Sequence, residues 1–252
     1  MRGLMTIRKS KQALRANSIL LGAMLLIIEI APLKANLIIG NLAVYNGSTL
    51  LGYVSGTYDG QNSFTYTASQ SNALIVELDP AASLFSLVMQ NPPGSPSNTY
   101  FAAVGGASGY DFNAGQSGYA YLSGSSLTAI GSTPSSSATN DIQPLGYNGP
   151  SETTIWTRIG DILTPNWVNT NGIVVANQVF YYDPVVDYIG ITADVTAFNN
   201  AFGEDAQAVT VEFTGAIPTP EPGSFALLGL AMSLAMGIAG LVRVIRLKRL
   251  IA

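Results

Sequence analysis

The chain has 252 residues with no cysteine and no histidine, which excludes disulfides, zinc sites built on His or Cys, and Ser-His-Asp or Cys-His catalysis. Its eleven Lys and Arg crowd the two ends: between residues 36 and 217 there are thirteen acids against Arg158 alone, a formal net charge of −12 that the whole-chain value of −4 conceals. So negative a surface repels phosphate backbones and excludes nucleic acid as a partner of the middle region, whereas divalent cations or neutral glycans suit it.

The chain starts with a basic stretch ending at Arg15, followed by the apolar run from Ser18 to Ile28. Basic first and apolar second is the order of a signal peptide, and eleven residues are too few for a helix to span about 30 Å of hydrocarbon. Ala35 supplies a small residue at the cleavage position, so residues 1–35 are predicted to be removed.

Strand signals dominate the middle. Phe64 and Tyr66 alternate with polar neighbours, as do Leu74, Val76 and Leu78, and again Val209, Val211 and Phe213, which is the period of half-buried strands. Asn46-Gly47 and Asp59-Gly60 carry the chemistry of tight hairpin turns. Further apolar or β-branched segments run over residues 84–89, 99–104, 119–122, 172–182 and 185–193. Loops are expected at 91–98 and at the Ser/Thr-rich stretch 131–150, and helical periodicity is nowhere sustained. About ten short strands predict an all-β, single antiparallel sandwich or jelly-roll-like domain over residues 36–217, large enough to bury a core without staples.

No cofactor, metal site or catalytic residue is expected in this domain. With no Lys between Lys34 and Lys248, lysine nucleophiles are excluded along with His and Cys, leaving only two-carboxylate chemistry. Glu77, Glu152 and Glu212 lie on or near strands but are read as ordinary solvated acids, because nothing brings two of them together. Trp156, Trp167, Tyr181, Tyr182 and Tyr188 offer flat faces for stacking on sugars, although each taken singly is better read as core. Asp183 with Asp187, or Glu204 with Asp205, offer oxygen ligands for Ca²⁺ without a supporting loop pattern, and Arg158 is expected to pair with an acid.

The C-terminal segment has three ordered parts. Pro218, Pro220 and Pro222 hold Ile217-Pro-Thr-Pro-Glu-Pro-Gly-Ser224 extended and stiff. Residues 224–242 then run without a charge, and at about 1.5 Å per residue they are long enough for a transmembrane helix. Arg243, Arg246, Lys248 and Arg249 follow and, by the positive-inside rule, stay on the cytoplasmic side.

Pro220-Glu221-Pro222, the uncharged span and the basic end together resemble the PEP-CTERM sorting signal of exosortase substrates, also known as an ice-binding protein C-terminal domain-like tail; the resemblance covers about residues 218–249. It implies processing by an exosortase-like membrane enzyme near Pro220, Glu221 and Pro222, with extracellular polysaccharide as a further partner. The expected protein is therefore a non-enzymatic, exported structural or adhesive component: a membrane-anchored precursor that passes to the cell surface or extracellular matrix. The competing expectation is a carbohydrate-active hydrolase or carbohydrate-binding module using carboxylates and aromatic residues of the β domain.

Overall fold

The computed structural model describes residues 37–107, 109–142, 149–175 and 178–215, all within one compact unit. The expected signal segment, the motif Pro220, Glu221, Pro222, the span 224–242 and the basic end Arg243, Arg246, Lys248, Arg249 lie outside the described residues. Among the described residues no helix is long and apolar enough to cross a membrane.

Two long strands come first, β1 (Ile38–Asn46) and β2 (Thr49–Tyr58). The residues between them are Gly47 and Ser48, so the Asn-Gly signal lands one position early: Gly47 takes φ +59° at the first turn position, where a side chain would be strained. Next come β3 (Phe64–Thr67), β4 (Ile75–Leu78), β5 (Leu87–Met89), β6 (Tyr100–Gly105) and β7 (Tyr119–Ser125). They are followed by β8 (Ser151–Glu152), the hairpin β9 (Trp156–Ile159) and β10 (Ile162–Pro165), then β11 (Val179–Asp183) and β12 (Tyr188–Thr192). A helix, α1 (Val195–Phe202), leads into the last strand, β13 (Gln207–Gly215).

Eight of these strands form a closed antiparallel ring in the order β1, β4, β5, β6, β7, β12, β11, β13 and back to β1. The domain is thus a barrel, and the expected sandwich or jelly roll is corrected. The reason lies in the two terminal strands. β1 and β13 pair with each other from Gly40↔Gly215 to Tyr45↔Thr210, and each divides its other edge between two neighbours. β1 gives Ile38 to Asn41 to β4 and Ala43 to Asn46 to β2, while β13 gives its start to β11 and Val211 and Glu212 to β10. Alternation in a sequence reports which side chains face inward and is silent on which strands pair, so closure between residues about 170 positions apart leaves no local signal.

Alternate residues fill the interior: Leu42 and Val44, Val76 and Leu78, Ala120 and Leu122, Ile189 and Ile191 all belong to one apolar core. Trp156 is fully buried there, stacked on Phe180 with ring centroids 5.7 Å apart and planes 8° from parallel, and 5.2 Å from Phe101. Its indole N–H donates to the Phe101 carbonyl at 3.1 Å, so the one polar atom of the ring is satisfied inside the barrel.

The helix is the element the sequence reading did not anticipate. Asp194 caps it by accepting from the Ala197 N–H at 2.9 Å, and Gly203 ends it with φ +71° while its N–H donates to the Asn199 carbonyl at 2.8 Å. Val195, Phe198 and Phe202 fall on one face at helical spacing and pack onto the outside of the barrel wall.

Candidate binding site

Strand alternation sends β7 in two directions. Ala120 and Leu122 enter the barrel core, while Tyr119 and Tyr121 stand on the outer face. β12 and β11 do the same, with Tyr188 and Tyr181 outside and Ile189 and Phe180 inside. The outer face of the wall is therefore a bed of four tyrosines, and α1 lies across it.

The rings interlock. Tyr119 meets Tyr121, Phe198 and Phe202 edge to face, each with centroids 5.2 Å apart and interplanar angles of 72° to 78°. Tyr181 lies 4.6 Å from Phe198, and Tyr121 5.4 Å from Tyr188. Tyr119 and Tyr121 share a hydroxyl hydrogen bond of 3.0 Å, and the Tyr181 hydroxyl donates to that of Tyr188 at 3.1 Å. Removing these phenols from water pushes Tyr181 and Tyr188 well above the ordinary tyrosine range, so both stay neutral at any physiological pH.

Beside this layer opens a pocket of about 450 Å³. Tyr119, Tyr121 and Tyr188 line it with Phe198 and Phe202, and its polar rim is formed by Glu204, after the helix, and by Asp59, Gly60 and Gln61. That last loop is held rigidly. The Asp59 carboxylate accepts the N–H groups of Gln61 and Ser63, both at 2.8 Å, and Asn62 adopts φ +61°, a conformation Asn tolerates. The Asn62 amide donates to the Asp141 backbone carbonyl at 2.8 Å, which ties the loop to the main chain of a buried acid. Asp141 itself accepts from the Tyr58 hydroxyl at 2.7 Å, the Asn98 amide at 2.8 Å and the Ser95 N–H at 3.0 Å. It sits so close to Gly124 that a Cβ at that position would collide with its Oδ2.

Behind the rim, Glu204 lies against Asp183. The Asp183 side chain is fully buried: Oδ1 accepts the Val185 N–H at 2.9 Å, and Oδ2 finds no donor among the described residues. Burial first, and then the Asp183 charge and a hydrogen bond with it, raise the Glu204 pKa above the usual carboxylate range.

The acids weighed as oxygen-ligand pairs are thus recombined. Asp183 meets Glu204, Asp187 instead accepts from the Tyr182 hydroxyl at 3.1 Å, and Asp205 is exposed. Among the described residues no three acids gather to hold a metal ion.

Of the aromatic residues proposed for sugar stacking, Trp156, Trp167 and Tyr181 are fully buried, as their core reading anticipates, and Tyr182 is half-buried. Trp167 stacks on Phe112 at 5.2 Å, and its indole donates to the Tyr110 carbonyl at 2.7 Å. Only Tyr188 of that set lines the pocket; Tyr119, Tyr121, Phe198 and Phe202 are its unanticipated partners. The signal was present in Tyr119-Ala-Tyr121, two large amphipathic residues flanking a small one at strand spacing.

Glu152 departs from the solvated reading. It is 1% exposed in β8, opposite Ala103 of β6, and its carboxyl accepts the Val168 N–H at 3.0 and 3.3 Å. Burial pushes its pKa up to about 8, so it is mostly protonated at neutrality and no counter-charge is needed. Arg158, expected to pair with an acid, holds its guanidinium 5.6 Å over the Phe213 ring.

Fold and site together define an antiparallel β-barrel that carries an acid-rimmed, tyrosine-lined pocket on the outside of its wall. No family model, curated protein or solved structure matches this chain.

Proposed function

We propose that this chain is an exported cell-surface or matrix protein, sorted through its PEP-CTERM-like tail, whose barrel serves as a non-catalytic binding or adhesive module. The observation that carries the reading is the pocket beside α1. Its lining is rings and phenols already hydrogen-bonded to one another, a surface made for contact. A two-carboxylate glycosidase needs its acids about 5 to 10 Å apart on either side of the bond. Asp183, the acid beside Glu204, is instead fully buried, and Glu152 lies in the interior. The address rests on the resemblance of the tail, with Pro220, Glu221 and Pro222 as the motif and Arg243, Arg246, Lys248 and Arg249 as the basic end.

Two measurements test the two halves of the reading. Intact mass of protein recovered from the envelope and medium of its own host is expected to give a species beginning near Asn36 and ending near Pro220 to Pro222; full-length protein in the outer fraction refutes the sorting. The purified chain is expected to bind without consuming substrate, so release of reducing sugar from a polysaccharide panel, abolished by Glu204→Gln, refutes the non-catalytic role.

A further inference from the structure

The pocket's chemistry selects among ligands. We propose that it holds a compact organic cation, an alkylated or quaternary ammonium group, with the tyrosine and phenylalanine rings as walls and Glu204 as counter-charge. The proposal rests on the barrel being a binding module and names the class of ligand that module takes.

Three observations converge on it. First, Tyr119, Tyr121, Tyr188, Phe198 and Phe202 line the pocket together, and Tyr121, Phe198 and Phe202 each meet Tyr119 at 72° to 78°, so the lining is not one flat platform. A pyranose stacks on one flat face, whereas a rounded cation is attracted by every ring whose negative face it approaches. Second, the polar groups favour positive charge over sugar hydroxyls. The phenols are occupied with one another, while Glu204 and Asp59 stand on the rim with Asp183 behind Glu204. The only Arg of the domain is engaged over Phe213, so no internal cation neutralises that rim. Third, the carboxylates are too few for a hard metal ion, since Ca²⁺ takes six to eight oxygens and no three acids gather among the described residues. A large, weakly hydrated cation asks for less oxygen and more ring. Asp183, fully buried next to Glu204, is a second acid on this side of the pocket.

Calorimetric titration of the full chain in a polyoxyethylene-ether detergent tests this with choline and with 3,3-dimethylbutan-1-ol, which has the same shape and no charge. Choline is expected to bind saturably and about tenfold more tightly than the neutral analogue, a factor equivalent to about 1.4 kcal/mol. Glu204→Gln and Tyr188→Leu are each expected to weaken choline severalfold while leaving the far-ultraviolet circular dichroism unchanged. Glu204 stands at the rim, so its variant tests the charge even if the tyrosine variant unfolds. Equal binding of the two probes, no saturable choline binding, or indifference of choline to Glu204→Gln overturns the proposal. A glycan array run in parallel separates the readings: glycan binding without choline binding removes the cation and keeps the binding module, and silence in both removes both. Retention on phosphatidylcholine vesicles that choline competes away assigns the cation to a lipid headgroup; choline binding in solution without such retention assigns it to a free solute.

Discussion

The barrel wall has two aromatic faces, and they are built from different chemistry. Inside, Phe64, Phe101, Trp156 and Phe180 form a chain of rings with no hydroxyl among them, and the one indole N–H is satisfied by a backbone carbonyl. Outside, under α1, Tyr119, Tyr121, Tyr181 and Tyr188 bring four phenols, whose hydroxyls bond to one another. The interior of this eight-stranded barrel is filled by apolar side chains, whereas an outer layer covered by one eight-residue helix can leave its polar tips near solvent. The inner face forms the main core, and the outer face carries the pocket.

The comparison is broken most directly by truncation. Trp156→Ala removes a fully buried indole, its stack on Phe180 and its hydrogen bond, and is expected to cost about 3 to 5 kcal/mol in urea unfolding. Phe198→Ala, almost equally buried but carried by a short helix that can settle into the space, is expected to cost less. Equal losses for the two variants, or a larger one for Phe198→Ala, would show that helix and barrel are one rigid core.

The two faces also differ in how they hold acid. Inside, Glu152 has its pKa raised to about 8, above the ordinary carboxyl value near 4.5, because burial disfavours the charge. The native state then binds more protons than the unfolded chain between those two values. Stability from this group is full below about pH 4.5, falls as pH rises toward 8 and levels off beyond it. Glu152→Gln is expected to flatten that slope, leaving the variant relatively more stable at pH 8.5 than at pH 5 when urea midpoints are compared with those of the parent. Parallel profiles would mean that the carboxylate is solvated in the native protein. Outside, Glu204 shifts in the same direction, but its half-exposed position lets water screen it, and its influence on stability is the smaller of the two.

The two faces were also unequally legible in the sequence. Strand alternation gave the inner face: Phe64 with Tyr66, Val76 with Leu78, and Val209 with Val211 and Phe213 all lie on strands in the structure. Closure into a barrel was not legible, because it depends on β1 meeting β13 and each splitting its edge between two neighbours. The helix escaped because eight residues carry barely two turns of periodicity; Asp194 and Gly203, its two ends, were the readable marks. Glu152 looked like an ordinary acid because β8 has only two residues, and its burial comes from pairing with β6, about fifty positions earlier in the chain.

The smallest expected effects probe the hydroxyl pairing that distinguishes the outer face. The Tyr181 hydroxyl is fully buried and donates to Tyr188, whose side chain keeps 9% of its surface exposed beside the pocket. Removing the donor by Tyr181→Phe leaves a hydroxyl at Tyr188 that reaches the pocket's water, so the loss is one ordinary hydrogen bond, about 1 kcal/mol. Removing the acceptor by Tyr188→Phe strands a buried O–H at Tyr181, and a buried donor without a partner costs about 1 to 3 kcal/mol. The second variant is therefore the more damaging, although both change a single oxygen. In the double variant no hydroxyl is stranded, and its cost is expected to fall below the sum of the two singles. Urea unfolding of the three variants and the parent closes the cycle. Strict additivity would show that the two hydroxyls do not depend on each other, and that the outer face is simply a second apolar core built from tyrosine rings.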